Sequence, residues 1–76
     1  MTKSVFSVDY DRFCALLTAA RVASGLTQTE LSERLSRPQS FVSKYERGER
    51  RLDVIEFIEV ANAIGADPIS LMRELL

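Results

Sequence analysis

The side chains best suited to chemistry lie between positions 39 and 47, where hydrogen-bonding and basic residues are interspersed with apolar ones. In a helix, each residue would advance by about 100° around the axis. The polar residues would then share an arc of roughly 140°. This arc contains Gln39, Ser40, Ser43, Lys44 and Arg47. Phe41, Val42 and Tyr45 fall on the opposite side, so one face can anchor the helix while the other contacts a ligand.

The groups on the polar face match those that base pairs expose in the major groove of DNA. Glutamine offers a donor and an acceptor on one planar group, as adenine requires. Serine can donate or accept, and lysine and arginine suit guanine or phosphate. The same pattern also fits the solvated face of a core helix. This helix alone leaves both interpretations open.

The composition argues against several other kinds of chemistry. The 76 residues contain no histidine and one cysteine, Cys14. This excludes Ser-His-Asp and Cys-His nucleophilic sites, an internal disulfide and the usual structural zinc sites. Carboxylates that lie close together in the sequence fall at predicted helix starts or on polar faces, where stabilising a helix dipole is their ordinary role. These pairs are Asp9 with Asp11, Glu30 with Glu33, and Glu56 with Glu59. We therefore expect no catalytic residues, metal or cofactor, and we expect Cys14 to be a small, buried or half-buried apolar residue.

The charge is unevenly distributed along the chain. A net charge of −1 and a pI near 5.3 argue against nucleic-acid binding, because affinity for DNA depends on neutralising phosphates. However, positions 34–51 contain six basic residues and two acidic ones, whereas positions 53–76 contain five carboxylates and one arginine. A protein that binds a polyanion in one orientation requires a basic surface on one side and can be acidic on the other.

The length of the chain predicts one small domain. Residues 1–8 lack periodicity and are predicted to form an N-terminal arm, with the folded domain over residues 9–76. No apolar run is long enough to span a bilayer, and the first residues lack a signal-peptide apolar region, so we expect a cytoplasmic protein. Such a domain leaves no evident room for a small-molecule pocket.

Local signals place the first three helices. The first is expected from near Asp9 to near Gly25. Thr27 begins a T-x-x-E capping box, so the second helix starts at Gln28. Pro38 starts the third helix, because proline forces an extended conformation on the residue before it and fits the first turn of a helix.

Two further helices are predicted after the third helix. A second capping box at Asp53 starts a helix from Val54 to Ile64, and Asp67 caps the last one. The expected core stripe of the fourth helix is Val54, Phe57, Ile58, Ala61 and Ile64. The fifth helix carries more apolar residues than one stripe needs, so they either close the core or form a homodimer interface.

The segment from Gln28 to Arg47 resembles the helix-turn-helix of the phage-repressor type, the XRE family that includes lambda repressor and Cro. The resemblance spans positions 21–75. It is carried by GLTQ at 25–28, by Leu31, Leu35 and Val42, and by SKYERG at 43–48. It implies an all-α, compact five-helix bundle with the helix-turn-helix at helices 2 and 3.

The resemblance also implies roles for single residues. Gln28 and Gln39 match the positions that lie against DNA in this family, and Arg21 and Glu46 match an ion pair found in several members. Two positions depart from the family pattern: Ser32 stands where alanine is common, and Ser36 where glycine is common in the turn. A positive φ at Ser36 would cost about a kilocalorie per mole or more.

Residues and resemblance together predict a sequence-specific, duplex-DNA-binding transcriptional regulator. We expect a homodimeric repressor that reads a two-fold symmetric operator with the third helix. The base-reading candidates are Gln28, Gln39, Ser40, Ser43 and Lys44. The phosphate-binding candidates are Thr27, Arg47, Arg50 and Arg51. The dimer-interface candidates are Ile69, Met72, Leu75 and Leu76.

One alternative belongs to a different functional class. The same fold could serve as an antitoxin or as a protein-interaction adaptor, with DNA binding secondary. The acidic overall charge favours this alternative, because it weakens the attraction to phosphates.

Overall fold

The computed structural model describes residues 8–76, and these residues form five helices without a strand. The helices are α1 Val8–Ala23, α2 Gln28–Arg34, α3 Gln39–Glu46, α4 Val54–Ile64 and α5 Pro68–Leu75. The predicted all-α, five-helix fold is confirmed. The predicted arm lies outside the described residues except for Val8, at which α1 begins. None of the described helices combines the length and the apolar character needed to cross a bilayer.

The helix boundaries follow the capping signals in the sequence. At the start of α2, Thr27 Oγ1 accepts a hydrogen bond from the Glu30 N–H at 3.0 Å, and Glu30 Oε1 accepts one from the Thr27 N–H at 2.9 Å. Asp53 and Glu56 form the same reciprocal pair at the start of α4, at 2.7 and 3.0 Å. Gly65 ends α4 with a φ of 87°, which glycine adopts without a steric penalty. Both predicted capping boxes are confirmed.

One hydrophobic core joins all five helices. Its buried members are Leu17, Leu31, Phe41, Val42, Tyr45, Phe57, Val60, Ala61, Ile64 and Leu71. Cys14 is also buried, as expected. The three apolar residues of α3 all belong to this core, so packing turns the opposite, polar face of α3 outward.

The predicted core stripe of α4 is partly wrong. Val54 is 67% exposed and Ile58 is 39% exposed, whereas Val60, which the prediction omitted, is 1% exposed. The cause is that α4 is apolar on more than one side, so two different stripes satisfy a helical period. Packing selects the stripe that contains Phe57 and Val60. Val54 and Ile58 consequently lie on the surface of the domain.

A tight turn joins α2 to α3. Ser36 has a φ of 55°, in the left-handed region that favours glycine. Its N–H donates to the Glu33 carbonyl at 3.1 Å, and the Arg37 N–H donates to the Ser32 carbonyl at 3.0 Å. These bonds satisfy the last carbonyls of α2. The turn therefore has the positive φ for which the family commonly uses glycine. Ser36 is strained because it adopts this φ with a side chain.

We predict that Ser36→Gly stabilises the domain by about 0.5 to 1 kcal/mol, because relief of the left-handed conformation exceeds the entropy cost of glycine. The measurement is the free energy of unfolding in urea. Ser40→Gly, at an exposed helical position, is the control and should destabilise by about 0.5 to 1 kcal/mol. Equal destabilisation by both changes would contradict the assigned strain.

Candidate nucleic-acid interface

The polar arc of α3 is open to solvent. Gln39, Ser40 and Lys44 are exposed, and Ser43 is half-buried. Ser43 Oγ donates to the Ser40 carbonyl at 3.2 Å, so this hydroxyl is partly committed to its own helix. The opposite side of α3 packs into the core through Tyr45, which is 1% exposed. The candidate base-reading residues of α3 thus share an accessible face on a helix whose back is fixed.

A largely buried ion pair joins α1 to the end of α3. Arg21 Nε donates to Glu46 Oε2 at 2.7 Å, and Arg21 Nη2 donates to Glu46 Oε1 at 3.1 Å. The two side chains are only 12% and 6% exposed. A further bond runs from Arg21 to the Leu26 carbonyl at 2.7 Å. The hydrogen bond to Glu46 raises the pKa of the Arg21 guanidinium. The pairing implied by the resemblance is therefore present, and it fixes α3 against α1.

The same carboxylate also holds Gln28, the first residue of α2. Gln28 Nε2 donates to Glu46 Oε1 at 2.9 Å. An ionised carboxylate can only accept, so the amide nitrogen of Gln28 must face Glu46. Within residues 8–76 the amide oxygen and the second N–H of Gln28 form no other hydrogen bond, so they are available to a ligand. Glu46 thereby links the starting residue of α2 to the last turn of α3.

The phosphate-binding candidates differ in how firmly the fold already holds them. The Thr27 hydroxyl accepts a bond in the α2 capping box. Arg47 forms two bonds to Glu49, at 2.9 and 3.1 Å, with both side chains more than half exposed. This pairing raises the pKa of Arg47 and lowers that of Glu49. Arg51 is exposed, and its guanidinium carbon lies 4.2 Å from the centroid of the Tyr10 ring.

Arg50 is the most constrained of these candidates. Its two terminal nitrogens donate to the Glu56 carboxylate at 3.1 and 2.8 Å. Arg37 approaches the same carboxylate at 3.5 Å, and both guanidinium carbons lie near the Phe41 ring, 4.4 Å from its centroid for Arg37 and 4.8 Å for Arg50. The Arg50 bonds and the backbone N–H of Asp53 lower the pKa of Glu56 to about 2. Glu56 therefore neutralises part of the basic segment.

Sequence reasoning missed the role of Glu56 in this cluster. The capping box identified Glu56 as a partner of Asp53, but nothing in the spacing indicated that its carboxylate also reaches Arg37 and Arg50. A pairing across an irregular loop has no fixed sequence separation. The bond from Arg34 to the Ala63 carbonyl at 3.0 Å was missed for the same reason.

Comparison with known proteins agrees with this geometry. A family model described as Helix-turn-helix matches residues 17–71. An XRE-family like protein from Pseudomonas syringae pv. tomato str. DC3000 is 55% identical, with a TM-score of 0.85, over 88% of this chain and 82% of that one. The chain belongs to the XRE family of helix-turn-helix proteins. The predicted family is confirmed, and the chain is accordingly a DNA-binding transcriptional regulator.

Two restriction-modification controller proteins share this XRE fold. C.AhdI from Aeromonas hydrophila is 29% identical, with a TM-score of 0.77, over 86% of this chain and 98% of that one. Wild-type C.Esp1396I is 17% identical, with a TM-score of 0.84, over 92% of each chain. At that identity the similarity to C.Esp1396I shows the fold alone. No curated protein matches the chain.

We predict that Glu46→Leu costs about 3 to 5 kcal/mol of stability, because it leaves the Arg21 guanidinium buried without its partner. The double change Arg21→Met with Glu46→Leu should cost clearly less than Glu46→Leu alone, since an apolar pair removes the uncompensated charge. Chemical denaturation of wild type, Arg21→Met, Glu46→Leu and the double variant gives the coupling free energy. Strictly additive losses would show that the two side chains do not depend on each other.

Glu56 also predicts a dependence of stability on pH. The pKa of Glu56 in the folded protein, about 2, lies below the usual value of about 4.3. Ionised Glu56 therefore stabilises the fold fully at pH values above the usual pKa. This stabilisation should be lost as pH falls from about 5 to about 2, and solvent screening limits it to about 1 to 2 kcal/mol. The measurement is the unfolding free energy of wild type and Glu56→Gln against pH. The two curves should converge at low pH, and a constant gap would contradict the assignment.

Proposed function

We propose that this XRE protein is a homodimeric repressor that binds a two-fold symmetric operator and reads the major groove with α3. The observation that carries the proposal is the exposed polar face of α3, on a helix fixed behind by Tyr45 and at its end by the Arg21–Glu46 ion pair. A rigid helix with one solvent-facing set of donors and acceptors is suited to direct reading of base edges.

The base contacts are assigned from position and chemistry. Gln39 and Ser40 occupy the first turn of α3, and residues near the N-terminus of a reading helix meet base edges most directly. Ser43 and Lys44 extend the same face by one turn. Gln28 joins them from the start of α2, with its outward amide atoms oriented by Glu46. A bidentate contact of Gln39 with adenine is the pairing that its amide favours.

The residues flanking this face are assigned to the sugar-phosphate backbone. Thr27 lies beside Gln28, while Arg47, Arg50 and Arg51 follow α3. Arg47 and Arg51 are exposed, so a phosphate can replace or share their present contacts. Arg50 contributes less charge, because Glu56 holds it. Such contacts set the position of the protein on the duplex without reading its sequence.

An apolar face on α4 and α5 supports the homodimer. Its members are Val54, Ile55, Ile58, Ile69, Met72 and Leu76, which are between 38% and 94% exposed. Val54 and Met72 flank the same groove, so the stripes of the two helices are continuous. Leu75 is half-buried and lines the groove beside Tyr10, so it belongs to the edge of this face. Exposed apolar patches of this kind mark interaction sites.

Dimerisation through this face would complete the operator contact. A two-fold pair presents two α3 helices to successive major grooves, about one helical turn apart. It also doubles the number of cations on the DNA, which offsets the modest positive charge of one chain. A dimer seated on its operator would block access to the promoter and so repress transcription.

We predict that Gln39→Ala costs about 1 to 3 kcal/mol of binding to the operator and relaxes preference at one base pair, because it removes a base contact. Arg51→Ala should weaken binding to all sequences and flatten the salt dependence, because it removes a phosphate contact. Affinities for operator and random duplex are measured across a salt series. Arg12→Ala on α1 makes the same charge change away from α3 and is the control.

The assignment of these two residues fails if both variants lose affinity equally on operator and random DNA. It also fails if Arg12→Ala reduces binding as much as Arg51→Ala does.

A protein-interaction adaptor or antitoxin is the second candidate. It is favoured by the pairing of Arg37, Arg47 and Arg50 with carboxylates, which leaves fewer cations for phosphates. In that case the apolar face would bind an unrelated chain.

A further inference from the structure

We propose that two reciprocal ion pairs, each between Glu59 of one subunit and Arg73 of the other, set the register of the dimer. The proposal rests on the homodimer under Proposed function and adds the charged groups that determine how the two copies align. It follows from the positions of these residues at opposite edges of the apolar face of α4 and α5.

Glu59 borders the α4 half of this face. With Val54 at zero, Ile58 and Ile55 fall near 40° and 100° around α4, and Glu59 falls near 140°. All four residues are exposed. The polar groove on that side of α4 is lined by Glu59 together with Arg34 of α2. Glu59 therefore lies on the edge of the apolar face that is turned toward α2.

Arg73 borders the α5 half in the same way. With Pro68 at zero, Met72 and Ile69 fall near 40° and 100° around α5, and Arg73 falls near 140°. The neighbouring Glu74 lines a groove on α1 together with Arg12. Met72 lines the groove that α5 shares with α4, so Arg73 lies on the far edge of the apolar face, away from α4.

The two edges carry opposite charges on either side of one apolar centre. The centre is the groove flanked by Val54 of α4 and Met72 of α5. On the side of α4 the outermost residue of the face is Glu59, and on the side of α5 it is Arg73. A two-fold axis that runs along this groove, in the plane of the interface, places the acidic edge of each copy against the basic edge of its partner. The charge pattern is therefore self-complementary, which an isologous interface requires.

Both groups are available for such a contact. Arg73 is the single basic residue beyond Arg51, it is exposed, and it forms no ion pair with any residue in the described range 8–76. Glu59 has only a distant contact with Arg37, at 3.9 Å, and its side chain is 54% exposed. A second copy of this chain offers Arg73 an opposite charge and offers Glu59 a closer one than Arg37.

The test uses the charge reversals Glu59→Arg and Arg73→Glu, with dimer dissociation constants measured by sedimentation equilibrium at low salt. Each single variant sets like charges against each other in both pairs, so its dissociation constant should rise about tenfold. Mixing the two single variants restores both opposite-charge pairs in a heterodimer. The mixture should therefore dimerise with an affinity within about threefold of wild type.

Rescue between different chains is the decisive result, because a contact within one chain cannot produce it. Glu33→Arg, an equal charge change at an exposed position of α2, is the control and should dimerise as wild type does. High salt should reduce the effect of both reversals. If Glu59→Arg fails to fold beside Arg37, a comparison of Arg73→Glu with Arg73→Gln replaces it. The reversal should then weaken the dimer more than the neutralisation does.

Two outcomes would overturn the proposal in different ways. If neither reversal weakens the dimer, or if mixing the two variants does not restore dimerisation, the proposed ion pairs are wrong. The homodimer itself would still stand. If Arg73→Glu weakens the dimer no more than Arg73→Gln does, the ion pairs are likewise wrong and the homodimer still stands. A wild-type chain that stays monomeric would overturn the homodimer and the ion pairs with it.

Discussion

The contact between Arg21 and Glu46 is the constraint on which the interface depends. With seven and eight residues, α2 and α3 are too short to be stable on their own, so tertiary contacts must set their orientation. The core fixes the back of α3, and the ion pair fixes its end. Because Glu46 also binds Gln28, one buried carboxylate aligns three helices. The exposed polar face of α3 is therefore held in place by the core beneath it and by this carboxylate.

The helix α4 connects the charged cluster beside α3 to the exposed apolar face that it shares with α5. Its inner residues complete the core, its first turn holds Arg37 and Arg50 through Glu56, and its outer residues form half of the apolar face. Because Glu56 is paired with Arg37 and Arg50, these two arginines have less positive charge to offer a phosphate.

Features with a local cause could be predicted from the sequence. The capping boxes at Thr27 and Asp53 and the outward face of α3 depend on residues three or four positions apart, and a fixed helical period relates them. The rotation of α4 could not be predicted, because its apolar residues allow two stripes and only packing chooses between them. The pairing of Arg50 with Glu56 depends on the path of an irregular loop. Both failures concern contacts between elements.

Selection of bound duplexes from a random DNA pool, with the 76-residue chain at near-physiological salt, tests the central claim most directly. The account predicts enrichment of a two-fold symmetric sequence whose half-sites lie about one helical turn apart. Absence of any enriched sequence, together with weak binding that disappears as salt rises, would contradict it. In that case the fold would serve a protein partner or require one to read DNA.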